Sequence, residues 1–165
     1  IEPNLKIFDV SNNFICPPYP HCFDFVGQQY IINCEDVVCP EKYIEIDKHC
    51  YFESDINILQ EFIDQNPSLT DRPLLNIGYQ EWKNRRLAFL YLGGHDLKII
   101  PKSIDKLTEL VSLDLRNNKF EEIPESICNI YPNLKAFNIS NNSICPPYPI
   151  CLDNQIYDQN QTSCP

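Results

Sequence analysis

Read from its residues alone, the chain is an α/β solenoid: short parallel strands joined by irregular or 3-10 convex segments, a short N-terminal cap helix, and caps held by disulfides. Three observations carry that expectation. Apolar residues recur every 23 to 24 positions over the second half, one segment ahead of that recurrence has helical spacing, and nine cysteines sit in 165 residues.

The recurrence runs Leu87-Ala-Phe-Leu90-Tyr-Leu92, then Leu110-Val-Ser-Leu113-Asp-Leu115, then Leu134-Lys-Ala-Phe137-Asn-Ile139. Each line continues to a polar residue, His95, Asn118 or Asn142, and then to Leu97, Phe120 or Ile144. Two of the three reach Ile-Pro-x-Ser-Ile, ending at Ile104 and Ile127. The L-x-L spacing has period two, and Asn-Asn or Pro closes each line, which argues for strands and against one amphipathic helix per line. This pattern resembles the leucine-rich repeat family, in its class of 23-residue repeats with proline in the convex turn. In such a repeat the inward leucines stack on those of neighbouring repeats, and the asparagine satisfies backbone groups where the chain leaves the strand. The resemblance implies a leucine-rich repeat solenoid that is not an enzyme.

A longer period overlies the short one. Residues 3–22, PNLKIFDVSNNFICPPYPHC, match residues 132–151, PNLKAFNISNNSICPPYPIC, at 15 of 20 positions with an offset of 129. Ile-Cys-Pro-Pro-Tyr-Pro-x-Cys is no part of the repeat pattern, so a whole block recurs and the chain reads as a window on a tandem array.

Five segments follow in order. Residues 1–22 read as the last repeat and cap start of a preceding block, whose Leu5, Phe8 and Val10 cannot bury themselves and form a candidate assembly segment. Residues 23–52 are a cysteine-rich cap and linker. Residues 53–86 are an N-terminal cap: within 54–65 Ile56, Leu59 and Ile63 form a helical stripe flanked by Ile58 and Phe62, with Ser54 or Asp55 as N-cap and Asn66-Pro67 as stop. The Trp82 segment follows. A helix, a tryptophan segment and then the first strand resemble the N-terminal caps of extracellular leucine-rich domains, which shield the open end of the core. Residues 87–151 hold the repeats, and residues 152–165 the C-terminal cysteine cap.

Nine cysteines at this density imply an oxidising compartment, extracellular or at the cell surface. The second cap holds Cys128, Cys145, Cys151 and Cys164, which allow three connectivities. Shifting Cys151 back by one 24-residue repeat puts it over Ile127, beside Cys128, which favours Cys128 with Cys151 and Cys145 with Cys164. The first cap then pairs Cys16 with Cys34 and leaves Cys22 for a partner upstream, while Cys39 and Cys50 form a local pair. Zinc held by Cys34, Cys39, His49 and Cys50 fits no common spacing and is disfavoured in an oxidising place.

The net charge of −10 and the lack of a Lys/Arg cluster argue against nucleic acid and anionic membranes, and no apolar run is long enough for direct membrane insertion. Phosphate-loop, zinc-protease and serine-hydrolase motifs are missing, so no catalytic residue, cofactor or metal is assigned. His95 stands where the other repeats have Asn and is expected to cap a turn. Three glycosylation-type triplets occur at Asn138-Ile-Ser, Asn141-Asn-Ser and Asn160-Gln-Thr.

The strand side chains that point away from the core make the candidate binding face: Phe89, Tyr91, Asp114, Arg116 and Asn138. Aromatic and arginine side chains are common anchors for partners. The alternative is that Asp114 and Arg116 merely pair on a short, solvated sheet. The expected partners are another protein or neighbouring copies of the chain, in recognition or adhesion, or in a filament or surface layer built head to tail.

Overall fold

A computed structural model describes residues 39–152 together with 156, 159, 160 and 164. The first element is a hairpin of β1 (Tyr43–Ile46) and β2 (His49–Phe52), paired antiparallel with Tyr43 opposite Phe52. Its two-residue loop puts Asp47 and Lys48 at φ 51° and 62°. Two consecutive positive φ values are what a tight hairpin needs to match the strand twist.

Helix α1 (Glu53–Gln65) follows directly and buries Ile56, Ile58, Leu59 and Phe62, with Ile63 only half-buried. The N-cap is Phe52, with no side-chain cap bond, in place of the anticipated Ser54 or Asp55. Asp55 instead lies in the first turn and is spent on a tertiary contact described below. After two 3-10 turns (Pro67–Leu69 and Leu74–Asn76) come strands β3 (Tyr79–Lys83) and β4 (Arg86–Tyr91), a second hairpin whose loop residues Asn84 and Arg85 also have positive φ, 51° and 66°. A bulge at Glu81/Trp82 shifts the register, so that Glu81 faces Phe89 and Trp82 faces Leu87. Trp82 packs edge-on against Tyr51 of the first hairpin at 4.7 Å.

Two three-residue strands complete the sheet, β5 (Ser112–Asp114) and β6 (Ala136–Asn138). They join β4 in parallel, in the order β3-β4-β5-β6, with Leu90, Leu113 and Phe137 in register. Helix α2 (Ile127–Ile130) and 3-10 turns at Lys102–Lys106, Tyr131–Asn133 and Ile150–Leu152 fill the connections.

This architecture corrects the solenoid expectation. The described residues form two separate small sheets, one of two antiparallel strands and one of four strands in mixed pairing, with two short helices. Two physical reasons account for the difference. The antiparallel β3–β4 hairpin takes the entry edge, where another parallel strand would have to sit. The connections also differ from one to the next, a 3-10 turn after β4 and an α turn running into a 3-10 turn after β5, so no uniform unit repeats.

The core lies on one side of the four-stranded sheet. Leu87, Leu90, Leu92, Leu97, Ile104, Leu107, Leu110, Leu113, Leu115, Phe120 and Ile127 are essentially inaccessible to solvent and continuous with α1. At about 1.5–3 kcal/mol for each buried aliphatic or aromatic side chain, this cluster is the main stabilising term.

Candidate functional site

The sheet has a second side, and its residues follow from the register. Because side chains alternate across a strand, Phe89 and Tyr91 point away from the side that buries Ala88, Leu90 and Leu92, and their register partners on the neighbouring strands share that outward side. One outward row runs Tyr79–Tyr91–Asp114–Asn138 and the next runs Glu81–Phe89–Ser112–Ala136. The face is therefore aromatic at the β3–β4 end and polar at the β5–β6 end.

The aromatic end is ordered by ring contacts. Tyr79, 57% exposed, stacks on Tyr91 with centroids 5.4 Å apart, and Phe89 meets Tyr91 edge-on at 6.4 Å. The Lys83 ammonium sits 4.5 Å over the Phe89 ring and 3.3 Å from the Glu81 carboxylate. Tyr91 also accepts a hydrogen bond at 3.3 Å from the Ser112 hydroxyl, which ties the two ends together.

At the polar end Asp114 accepts from the Arg116 backbone N–H at 3.1 Å and pairs with its guanidinium at 3.2 Å. Asn138 repeats the device one strand on, its Oδ1 accepting from the backbone N–H and the hydroxyl of Ser140 at 3.0 and 2.8 Å. Gly93 fits between: a Cβ there would lie 3.2 Å from the Arg116 carbonyl. Both ion pairs on the face are internally matched, Lys83 with Glu81 and Arg116 with Asp114, so the face offers aromatic surface and hydrogen-bonding groups more than net charge.

All five sequence-derived face residues, Phe89, Tyr91, Asp114, Arg116 and Asn138, thus fall on or beside one surface. Sequence reasoning missed Tyr79, Glu81 and Lys83, which β3 adds across the antiparallel register. Their signal was present as the alternation Tyr79-x-Glu81-x-Lys83. The assembly segment Leu5, Phe8 and Val10, and the pair Cys16 and Cys34 with Cys22, lie outside the described residues.

Two polar devices hold the face in place. Asn118 is buried, donates from Nδ2 to the carbonyls of Leu92, Leu115 and Arg116, and accepts on Oδ1 from the backbone N–H groups of His95 and Leu97, both at 3.0 Å. Asn142 does the same work at the turn after β6, donating to Leu115, Ile139 and Ser140 and accepting from Phe120 N–H. The residue before each is left-handed, Asn117 at φ 55° and Asn141 at φ 54°, as is Gly94, before His95, at φ 75°. Asparagine and glycine tolerate that region best, which explains Asn-Asn and Gly-Gly at these turns. His95 enters this network through its backbone N–H. Burial, with Arg72 nearby, holds its imidazole pKa below the usual value.

The second device is a buried ion pair. Arg86 forks onto Asp55, Nε to Oδ2 at 2.8 Å and Nη2 to Oδ1 at 3.0 Å, and the Leu87 N–H donates to the same carboxylate at 2.9 Å. The guanidinium stacks 4.2 Å over Phe52. Its pKa is raised above the ordinary arginine value, chiefly by the hydrogen-bonded Asp55 carboxylate. Disulfides join Cys39 to Cys50, Cys128 to Cys151 and Cys145 to Cys164.

Residues 109–130 match the family model described as Leucine Rich Repeat, and this segment spans β5 and α2. Together with the disulfides the match supports a leucine-rich repeat protein, a class that is generally non-catalytic and typically mediates protein–protein interaction. No curated protein matches the chain. Among the described residues no helix is long and apolar enough to cross a membrane, and no His/Cys/Asp/Glu group could hold a metal ion. The disulfides are consistent with an extracellular protein.

Proposed function

We propose that the chain is a non-catalytic extracellular module for protein recognition or adhesion, one part of a tandem array of 129-residue blocks, and that it binds through the outward face of β3–β6. One observation carries the reading: the row Tyr79–Tyr91–Asp114–Asn138, which presents stacked, partly exposed tyrosines beside fixed hydrogen-bonding side chains. Rigid aromatic rings lose little rotamer entropy on binding, and the polar groups supply specificity. The segments 1–22, 23–52, 53–86, 87–151 and 152–165 are the domain plan that goes with this reading.

The test immobilises the wild type, the double variant Tyr79→Ala/Tyr91→Ala and the remote variant Lys98→Ala, and presents each with an extracellular protein fraction. Capture of a protein by the wild type and Lys98→Ala, weakened about tenfold or more by the tyrosine changes, supports the face. Equal capture by all three overturns it.

A second reading, a structural unit of a filament or surface layer assembled head to tail, is favoured by the 15-of-20 match between residues 3–22 and 132–151. In it Leu5, Phe8 and Val10 form the assembly segment. Long particles of regular repeat in negative-stain images of native material favour this second reading, and discrete small particles favour the first.

A further inference from the structure

Two of the three Asn-x-Ser/Thr triplets, 138–140 and 141–143, adjoin at the end of β6, and the structure distinguishes them. Asn138 is half-buried within β6. Its backbone carbonyl accepts from Leu115 N–H, and its side-chain oxygen takes both the N–H and the hydroxyl of Ser140, the triplet's own serine. A sugar on its nitrogen would lie across the row that includes Asp114 and Tyr91.

Asn141 differs on each count. It is exposed, sits at φ 54° on the turn, and uses one side-chain N–H, donating to Asn117 Oδ1 at 2.9 Å. A primary amide nitrogen carries two hydrogens, so one can be replaced by a sugar while the other keeps the bond to Asn117. Beside it lies an open hollow of about 530 Å³ lined by Asn118, Asn142, Ser143, Gln159 and Asn160. Among the described residues that lining is amide and hydroxyl throughout, which suits a hydroxyl-rich saccharide.

We infer that Asn141 carries an N-linked glycan whose first sugar rests in this hollow, and that Asn138 stays unmodified as part of the sheet face. In the transfer, the bond between Asn141 Nδ2 and the anomeric carbon of a polyprenyl-pyrophosphate oligosaccharide forms as the carbon–oxygen bond to pyrophosphate breaks. The pyrophosphate leaves, and the displaced amide proton goes to solvent or base. A glycan adds bulk and solubility at a surface turn. It would sit beyond Ser140, at the rim of the face.

This inference rests on the extracellular part of the proposed function. The experiment separates the two, because a eukaryotic secretory host supplies the transfer machinery whatever the chain's native compartment. The full chain is secreted from such a host, treated with peptide N-glycosidase in ¹⁸O water, digested, and the label placed by fragment spectra. The expected result is label at Asn141 in the wild type and in Ser140→Ala, lost in Ser143→Ala, which removes the triplet and leaves the Asn141–Asn117 bond in place. Label at Asn138 in the wild type, or no label at Asn141 in secreted protein, overturns the inference. Either result leaves native localisation to be decided on native material.

Discussion

At its entry edge the mixed sheet is tied to α1 by hydrogen bonds and one buried ion pair, the Cys39–Cys50 disulfide being confined to the adjoining first hairpin, whereas at its exit edge two disulfides close it. The entry contacts are Asp55 with Arg86 and Leu87, and Asn66, which donates to the carbonyls of Phe62 and Ile99 and accepts from the N–H groups of Lys98 and Ile99. The exit contacts are Cys128–Cys151 and Cys145–Cys164. Burial differs in the same sense. Leu87 and Leu90 of β4 are sealed, while Leu134 and Phe137, their counterparts at β6, are only half-buried. An edge with a helix against it can rely on packing and polar satisfaction. An edge with little apolar cover gains more from restricting the unfolded chain, which is how a cross-link stabilises.

The largest effect is expected at the entry. Asp55→Ala leaves the Arg86 guanidinium largely covered without its carboxylate and orphans the Leu87 N–H, at a cost of about 3–5 kcal/mol. Urea unfolding under oxidising conditions measures it, and a loss below about 1 kcal/mol would show that α1 is held by packing alone. The double variant Cys128→Ala/Cys151→Ala should cost about 2–4 kcal/mol, given a sequence separation of 23 between the paired cysteines. Hydrogen exchange sharpens the comparison. Amides of β5, β6 and the Asn142 turn should lose protection while α1 keeps its own; uniform loss would mean that the two ends unfold as one unit.

Between the two ends lies the asparagine network. Asn118→Ala strands the N–H groups of His95 and Leu97 and takes the donor from the Leu92 carbonyl, while the Leu115 and Arg116 carbonyls keep Asn142 Nδ2 and the Gly94 N–H, and it should cost about 1–3 kcal/mol. A smaller effect is expected from pH. Folding lowers the His95 pKa, so the unfolded chain binds the proton more readily. Stability should therefore fall as pH drops through the ordinary histidine range near 6.5 and level off once the folded-state pKa is passed. Comparing urea midpoints at several pH values in wild type and His95→Asn reads this out, and an identical slope in both would remove His95 as its source.

How much of this was legible depends on how each element announces itself. Strands β4 to β6 were readable because their inward apolar residues keep a two-residue period and a 23- to 24-residue spacing. Helix α1 was readable because Ile56, Leu59 and Ile63, flanked by Ile58 and Phe62, follow helical spacing, although the flanking pair is buried more deeply than Ile63. The hairpins β1–β2 and β3–β4 were not, since their turns, Asp47-Lys48 and Asn84-Arg85, take positive φ without the glycine that usually marks such a turn. Missing β3 is what turned a mixed sheet into an expected solenoid, and it also hid Tyr79 from the face. Asp55 was misplaced for a related reason. A carboxylate at a helix start suggests a cap, and only the tertiary fold brings Arg86, 31 residues later, within reach.

The smallest stability effect is expected at Tyr79, which makes it the sharpest probe of what the outward face is for. Its ring is more than half exposed, and its stack on Tyr91 is the one ring contact it makes among the described residues. An exposed aromatic pair contributes at the low end of its range, so Tyr79→Ala should change stability by no more than about 0.5 kcal/mol. If a partner docks on this face, the same change should weaken binding by far more than it weakens the fold, since an anchor ring is covered only in the complex. Titration of the captured partner against wild type and Tyr79→Ala, beside their urea midpoints, gives both numbers. Equal small losses in both would make the tyrosine stack a feature of the sheet's edge and place the docking surface elsewhere.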